Sequence, residues 1–224
     1  LIRQIERNAP SCVSVSLPKA KPNTPQNSFE NIQVLSITHP ALIKYLGERC
    51  IDIEIARTVC KELHFDTRGK HYFGIGFPNI AGGYEIRNPF FKGGITPKDI
   101  SLFHNEESKQ SCFVFEGFID FLSFMMLRRK ENGGLKRQDY LVLNSVSNVK
   151  KALEPLSHYE NIQCFLDNDE AGRNAYFQLS KELGKPVTDA STLYNGYKDL
   201  NEYLCAEFKH SEKAESKKIK GIRP

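Results

Sequence analysis

The stretch Cys164-Phe165-Leu166-Asp167-Asn168-Asp169-Glu170-Ala171-Gly172-Arg173 joins an apolar run to a group of acids and then to a helical pattern. The apolar side begins upstream at Ile162, and Phe165 and Leu166 lead directly into the acids, which predicts a strand that is buried on both faces. After the acids, apolar residues recur at helical spacing and give the predicted helix a core face: Ala171, Ala175, Leu179 and Leu183. The chain is therefore expected to turn from a strand directly into a helix at the three carboxylates.

Asp167 and Asp169 lie on the same side of an extended chain, because side chains alternate with a period of two. Two neighbouring carboxylates repel each other unless a cation lies between them, so the pair favours a hard divalent ion such as Mg²⁺. Gly172 would allow close backbone approach at the first helical turn. The alternative is that Asp169 only caps the helix, with Asp167 and Glu170 solvated in the same loop.

A second stretch has the same design. Cys112-Phe113-Val114-Phe115-Glu116-Gly117-Phe118-Ile119-Asp120 is an apolar strand that ends on an acid and a glycine before a helical pattern. In a parallel sheet the carboxyl ends of the strands meet at the edge where ligands bind. Glu116 should therefore face Asp167 and Asp169 across adjacent strands. Three carboxylates from two strand ends favour metal chemistry over helix caps.

Together these two motifs resemble the toprim domain, which bacterial-type primases, type IA and type II topoisomerases, some nucleases and recombination-mediator proteins share. The resemblance covers about residues 111–208 and implies an α/β fold, a Rossmann-like parallel sheet with helices on both faces. It implies that Glu116, Asp167 and Asp169 are catalytic and bind the metal, with supporting residues Gly117, Asp120, Gly172 and Asp199. The segment Lys198-Asp199-Leu200-Asn201-Glu202-Tyr203-Leu204 resembles the family's closing motif. There Lys198 is a candidate for binding nucleic acid or nucleotide, while Asp199 is equally explained as a helix N-cap.

The region from Phe77 to Lys98 is similar in order to the basic domain that precedes toprim in replicative primases. The resemblance implies that Arg87 and Lys98 contact phosphates, and Lys92 is a third candidate for binding nucleic acid or nucleotide. Asn79, and Asn88-Pro89 in place of a glycine-rich turn, depart from the family pattern. The alternative is that Arg87 and Lys98 are ordinary surface charges.

The remaining patterns predict a helical hairpin from Pro40–Gly47 and Ile51–Leu63, with Asp52 as a cap. A β-hairpin is predicted from His71–Phe77 and Tyr84–Arg87. We expect four segments: a linker at 1–33, a small primase-like basic α+β subdomain at 34–110, the toprim domain at 111–208 and a basic, disordered tail at 209–224.

The composition is that of an ordinary globular protein, with 224 residues, 40% hydrophobic and 26% charged residues, and a net charge of +4. The six cysteines show no CxxC spacing and predict free thiols in a reducing cytosol. We find no membrane-spanning run and no signal-peptide pattern, so the expected location is cytoplasmic, associated with the nucleoid. The chain begins at Leu1, which predicts a fragment, and it encodes no zinc-binding module of the kind that such primases often carry.

The expected function is that of a DNA primase-like core, a nucleotidyltransferase of DNA replication that makes short RNA primers on single-stranded DNA. Its cofactor would be Mg²⁺ or Mn²⁺, and its partners single-stranded DNA, nucleoside triphosphates and a replicative helicase. Glu116 would either complete the metal shell or accept the proton; the sequence leaves both roles open. The alternatives are a metal-dependent toprim nuclease and a non-catalytic nucleic-acid-binding toprim module. The preceding basic region favours the primase over both.

Overall fold

A computed structural model describes residues 29–105, 110–130 and 138–220, without the side chains of Lys130 and of residues 212–220. Most of the predicted linker lies outside these ranges. The boundary expected at residue 33 falls inside the first strand, Glu30–Leu35.

The N-terminal half is built on a five-stranded antiparallel sheet in which the strands follow chain order. These strands are β1 (Glu30–Leu35), β2 (Lys61–Thr67), β3 (Lys70–Pro78), β4 (Tyr84–Asn88) and β5 (Phe91–Ile95). Two helices, α1 (Pro40–Glu48) and α2 (Ile53–Val59), connect β1 to β2. The predicted β-hairpin is present as β3 and β4. Ile75 lies opposite Arg87 at one end of their pairing, and Pro78 lies opposite Tyr84 at the other.

The predicted helical hairpin is also present, and the Asp52 side chain caps α2 by accepting from the Glu54 amide at 2.7 Å. The second helix was expected to reach Leu63, and this was wrong: α2 ends at Val59 and β2 begins at Lys61. Leu63 and Phe65 alternate on one side of β2 and are both buried, which a strand allows and a continued helix would not.

The C-terminal half contains a second five-stranded sheet in the order β10-β9-β7-β8-β6. Its strands are β6 (Ser101–Phe103), β7 (Ser111–Phe115), β8 (Asp139–Val142), β9 (Asn161–Phe165) and β10 (Val187–Asp189). All neighbouring pairs are parallel except β6–β8. The helices are α3 (Phe118–Lys130), α4 (Val149–Ser157), α5 (Glu170–Leu183) and α6 (Leu200–Lys220).

Helices cover both faces of this parallel sheet, which confirms the predicted fold class. Residues of α4 and α5 share one buried cluster with the sheet, and residues of α3 and α6 share another. The segment boundaries differ from those expected. Strand β6 joins this sheet from before residue 111, and α6 continues past residue 208 to Lys220, where a disordered tail was predicted.

Helix α3 lies between the two sheets, and its sequence from Phe118 to Leu127 is apolar on nearly every side. The ring of Phe77, from β3, stacks on Phe118 with centroids 5.1 Å apart. The ring of Phe103, from β6, stacks on Phe121 at 5.2 Å. One hydrophobic cluster therefore runs from the N-terminal helices through α3 into the parallel sheet.

The five cysteines that lie in the described ranges are free thiols, and Cys60, Cys112 and Cys164 among them are buried. Cys50 and Cys205 are only partly buried. Within those ranges, no helix is both long enough and apolar enough to cross a bilayer.

Candidate active-site cleft

A cleft of about 830 Å³ opens between the antiparallel sheet and the carboxyl edge of the parallel sheet. Its charged lining residues are Arg49, Glu85, Arg87, Lys92, Lys98, Glu116, Asp120, Asp167, Lys198 and Asp199. The cations of the antiparallel sheet and the acids of the parallel sheet therefore share one cavity.

The acidic side is built where β7 and β9 end. These strands are parallel neighbours with Phe115 opposite Phe165, so Glu116 and Asp167 emerge at the same edge. The Asp167 amide donates to the Glu116 carboxylate, and burial followed by the charge of Asp169 raises the pKa of Glu116. The second Glu116 oxygen, Oε2, is buried without a hydrogen-bond partner.

The pKa of Asp167 is strongly raised. Burial raises its pKa to about 7, and the nearby charges of Glu116, Asp199 and Asp169 act in the same direction. A carboxyl group with this pKa is poorly stabilised as an anion by the protein alone, and a bound cation would reverse that.

Asp169 behaves differently from its partner in the motif. Its Oδ1 accepts from the Gly172 amide at 3.0 Å and so caps α5. The capping interpretation is therefore correct for this one oxygen. The residues that line the cleft include Asp167 but not Asp169.

The turn that carries these acids is tight. A Cβ on Gly172 would lie 2.1 Å from the backbone oxygen of Asp167, so only glycine fits there. The Asn168 amide donates to the Lys198 oxygen at 2.7 Å, and its side chain donates to the Tyr197 oxygen at 2.9 Å. Asn168 thus ties the acidic turn to the start of α6. Asn168 lies inside the acidic motif, but the sequence did not lead us to predict this role for it.

Asp199 caps α6 and also lines the cleft. Its Oδ1 accepts from the Glu202 amide at 2.8 Å, and the Glu202 carboxylate accepts from the Lys198 amide at 2.6 Å. Asp199 is thus a helix N-cap, as one of its two interpretations proposed, and its charge also contributes to the raised pKa of Asp167.

Asp120 lies deeper, on α3, and its side chain accepts from the Asn201 amide at 3.3 Å. Burial, followed by the charge of Asp167, raises the pKa of Asp120 well above its ordinary value. The Asn201 side chain donates to the Arg49 oxygen at 2.8 Å and to the Ser123 hydroxyl at 2.9 Å. Asn201 therefore joins α6, α3 and the end of α1 behind the acids, a role that its local sequence did not reveal.

The basic side is organised around buried Glu85 on β4. Its carboxylate binds the Lys98 ammonium at 2.8 Å and lies 3.9 Å from the Arg87 guanidinium. The Arg87 side chain is only 14% exposed and lies over the Phe118 ring at 5.7 Å, which argues against an ordinary surface charge. The charge of Lys92 acts to lower the pKa of Glu116, but burial outweighs it and the pKa stays raised. The role of Glu85 in binding these cations was not predicted, because a single acid in a strand does not reveal which cations contact it.

The expected metal can be compared with these donors. Among the described residues, no three His, Cys, Asp or Glu side chains are gathered closely enough to hold a metal ion. However, Mg²⁺ in phosphoryl-transfer sites is usually bound by one or two carboxylates together with substrate phosphates and water. Glu116, with its unpartnered buried oxygen, and Asp167, with its raised pKa, fit that pattern.

Comparisons with known proteins agree with this architecture. Residues 113–204 match a Toprim-like family, and residues 31–96 match a domain of unknown function, DUF8464. No curated protein sequence matches the chain.

Several solved structures have a similar fold. The primase fragment of the bacteriophage T7 primase-helicase protein is 22% identical, with 88% of this chain and 81% of that chain covered and a TM-score of 0.55. A bacteriophage T7 complex of lagging-strand DNA polymerase with primase domains bound to an RNA/DNA hybrid and dTTP matches at 21% identity, covering 84% and 91%, with a TM-score of 0.53. The zinc-binding and RNA polymerase domains of the Aquifex aeolicus primase are 15% identical, with 79% and 56% covered and a TM-score of 0.50. Residues 113–204 are therefore a toprim-like domain, in a chain that shares its fold with primase fragments of phage and bacteria.

Proposed function

We propose that this chain is the catalytic core of a DNA primase-like RNA polymerase. It would join ribonucleotides on a single-stranded DNA template by metal-dependent nucleotidyl transfer. One observation carries the proposal: the cleft sets Arg87, Lys92 and Lys98 opposite the toprim-like acids Glu116 and Asp167. A growing strand, its template and a triphosphate need cations for their phosphates and acids for a metal within one cavity.

In this reaction the 3′-hydroxyl oxygen of the primer attacks the α-phosphorus of the incoming nucleotide, and the bond to pyrophosphate breaks. Glu116 and Asp167 would hold the divalent cation, Mg²⁺ or Mn²⁺, with Asp169 beside them. When bound, that cation would neutralise triphosphate charge and lower the pKa of the hydroxyl. Glu116, whose pKa is raised by burial, would either complete the metal shell in this way or accept the proton of the hydroxyl.

The cations have distinct positions in the proposed reaction. Arg87 is buried against Phe118 and oriented by Glu85, so it would hold one phosphate in a fixed place. Lys92 and Lys98 are more exposed and would follow the nucleic-acid backbone, with Lys198 on the opposite side. Binding through these cations should weaken with added salt.

The partners proposed with this function are single-stranded DNA, nucleoside triphosphates and a replicative helicase. The T7 relative is the primase fragment of a primase-helicase protein, which supports a helicase partner. A cytoplasmic, nucleoid-associated location belongs to the same proposal.

The test is RNA synthesis on single-stranded DNA with nucleoside triphosphates and Mg²⁺ or Mn²⁺. Wild type should give short RNA products, and Asp167→Asn and Glu116→Gln should lower their yield by about 100-fold or more. Asp189→Asn is the matched control. Asp189 is the last residue of the parallel strand β10, but its side chain accepts from the Ser191 amide at 2.9 Å and does not line the cleft.

Two results would contradict the primase. Template cleavage that depends on Asp167, without RNA synthesis, would identify a toprim nuclease. Binding of single-stranded DNA without either reaction, in wild type and variants alike, would identify a non-catalytic module.

A further inference from the structure

Phe90 is the most exposed large hydrophobic residue in the part of the chain that the structure describes, with 97% of its surface accessible. It lies in the two-residue turn between β4 and β5, since Asn88 and Phe91 are the last paired residues of these strands. Pro89, Phe90 and Phe91 all line the cleft. A bare aromatic ring therefore stands at the mouth of the candidate active site.

Hydrogen bonds anchor the backbone of the turn that carries this ring. The Asn88 side chain accepts from the Phe90 amide at 2.9 Å and donates to the Phe73 oxygen on β3 at 2.7 Å. The neighbouring Phe91 ring packs over Gly93, where an added Cβ would lie 2.3 Å from it. Phe91 thus lies along its own strand, while Phe90 projects from an anchored tip.

The chemistry around the ring indicates what it contacts. Arg87 and Lys92, on the same two strands, line the same cleft. Sites for single-stranded nucleic acid combine cations that follow the backbone with aromatic rings on which bases stack. An intact duplex offers no free base face to a protruding ring, whereas a single strand does.

A protein partner fits this surface less well. A Phe side chain buries at most about 250 Å², whereas a stable protein interface buries about 800 Å² on each partner. The exposed apolar residues next to Phe90 in the chain are Pro89 and Phe91, and the charged Lys92 follows them, so the apolar stretch is three residues long.

We propose that Phe90 stacks on an unpaired base of the single-stranded DNA that enters the cleft, and so positions the template. This inference rests on the proposed function only in taking single-stranded DNA as the occupant. Stacking is tolerant of sequence, so Phe90 should contribute affinity for any base.

The experiment measures binding of a short single-stranded DNA that carries 2-aminopurine, whose fluorescence reports stacking. Phe90→Ala should weaken binding about 10-fold and remove the fluorescence change. Phe90→Trp should retain both, and Phe90→Leu should resemble alanine in the fluorescence because it has no ring. Phe177→Ala is the control, since Phe177 is 64% exposed on α5 and does not line the cleft.

Salt dependence separates the ring from the cations. Phe90→Ala should lower affinity without changing the slope of log K against log salt concentration, whereas Lys92→Ala should reduce that slope by about 1. Equal affinity of wild type and Phe90→Ala for single-stranded DNA would overturn the inference, and so would an equal loss in Phe177→Ala. RNA synthesis, measured in parallel on wild type, tests the proposed function separately: stacking without synthesis would refute only the primase.

Discussion

Gly172→Ala tests the turn on which the acidic edge depends. An added Cβ would lie 2.1 Å from the Asp167 oxygen, where ordinary contact begins near 3.4 Å, so backbone must move by more than 1 Å. Asp167 lies two residues after the end of β9, and Asn168 is bonded to the segment just before α6, so neither side can move freely. We expect a loss of about 3 kcal/mol, the upper part of the usual range for overpacking. This corresponds to a fall in Tm of roughly 6–12 °C for a chain of this size.

The matched control is the same substitution in α1. A Cβ on Gly47 would meet nothing within 4 Å, and alanine is the better helix former. Gly47→Ala should therefore gain about 0.5 kcal/mol and raise Tm by roughly 1–2 °C. Both variants would be compared with wild type by thermal and urea unfolding. If Gly172→Ala unfolds at the temperature of wild type, the turn is not constrained as described.

Three further predictions concern polar groups that are buried or partly buried. In EDTA, wild type should lose stability as pH rises from about 4 to 7, because the folded state raises the pKa of Asp167 to about 7. Above pH 7, Asp167→Asn should be more stable than wild type by roughly 1–2 kcal/mol after allowance for solvent screening. Urea unfolding measures this difference. Mg²⁺ should remove it, because the ion would stabilise only wild type. Burial alone would raise the pKa of Glu62, but hydrogen bonds from a histidine and two backbone amides outweigh it and lower the pKa below its ordinary 4.5. Its contribution is present above about pH 4.5 and is lost as pH falls further, so acid should destabilise wild type more than Glu62→Gln; parallel loss in both would contradict this. Asn79→Ala should cost about 2–3 kcal/mol in urea unfolding, because it leaves two amides and the Pro97 oxygen without their partner; an unchanged midpoint would show that water replaces the side chain.

Much of the parallel sheet could be predicted from sequence because its signals are local. The strand that ends at Phe165 buries its apolar residues Ile162, Cys164 and Phe165, and the helix that follows has an apolar face with an acidic cap at Asp169. The same pattern, an apolar strand that ends on acids before a helix, predicted that β7 and β9 run parallel and end at the same edge of the sheet. Expectations for the catalytic and metal-binding residues remain predictions, although the cleft brings Glu116 and Asp167 together.

Features that depend on distant partners could not be predicted in this way. Strand β2 follows a helix without a glycine or proline between them, and buried Glu62 within it reads as a surface residue. Its partners are the amides of Thr38 and His39, more than twenty residues earlier. Similarly, Glu85 looks like an exposed strand acid until Lys98 folds onto it. In each case the deciding contact is absent from the local sequence.

The core that α3 shares with both sheets has a consequence for how the protein can be divided. The two matched families, at residues 31–96 and 113–204, suggest a chain of two separable modules. However, removing the first would strip Phe118 of the Phe77 ring on which it stacks and expose one side of α3. The two halves should consequently unfold in a single cooperative transition. The spacing between the basic and acidic walls of the cleft is set by packed aromatic rings instead of a hinge.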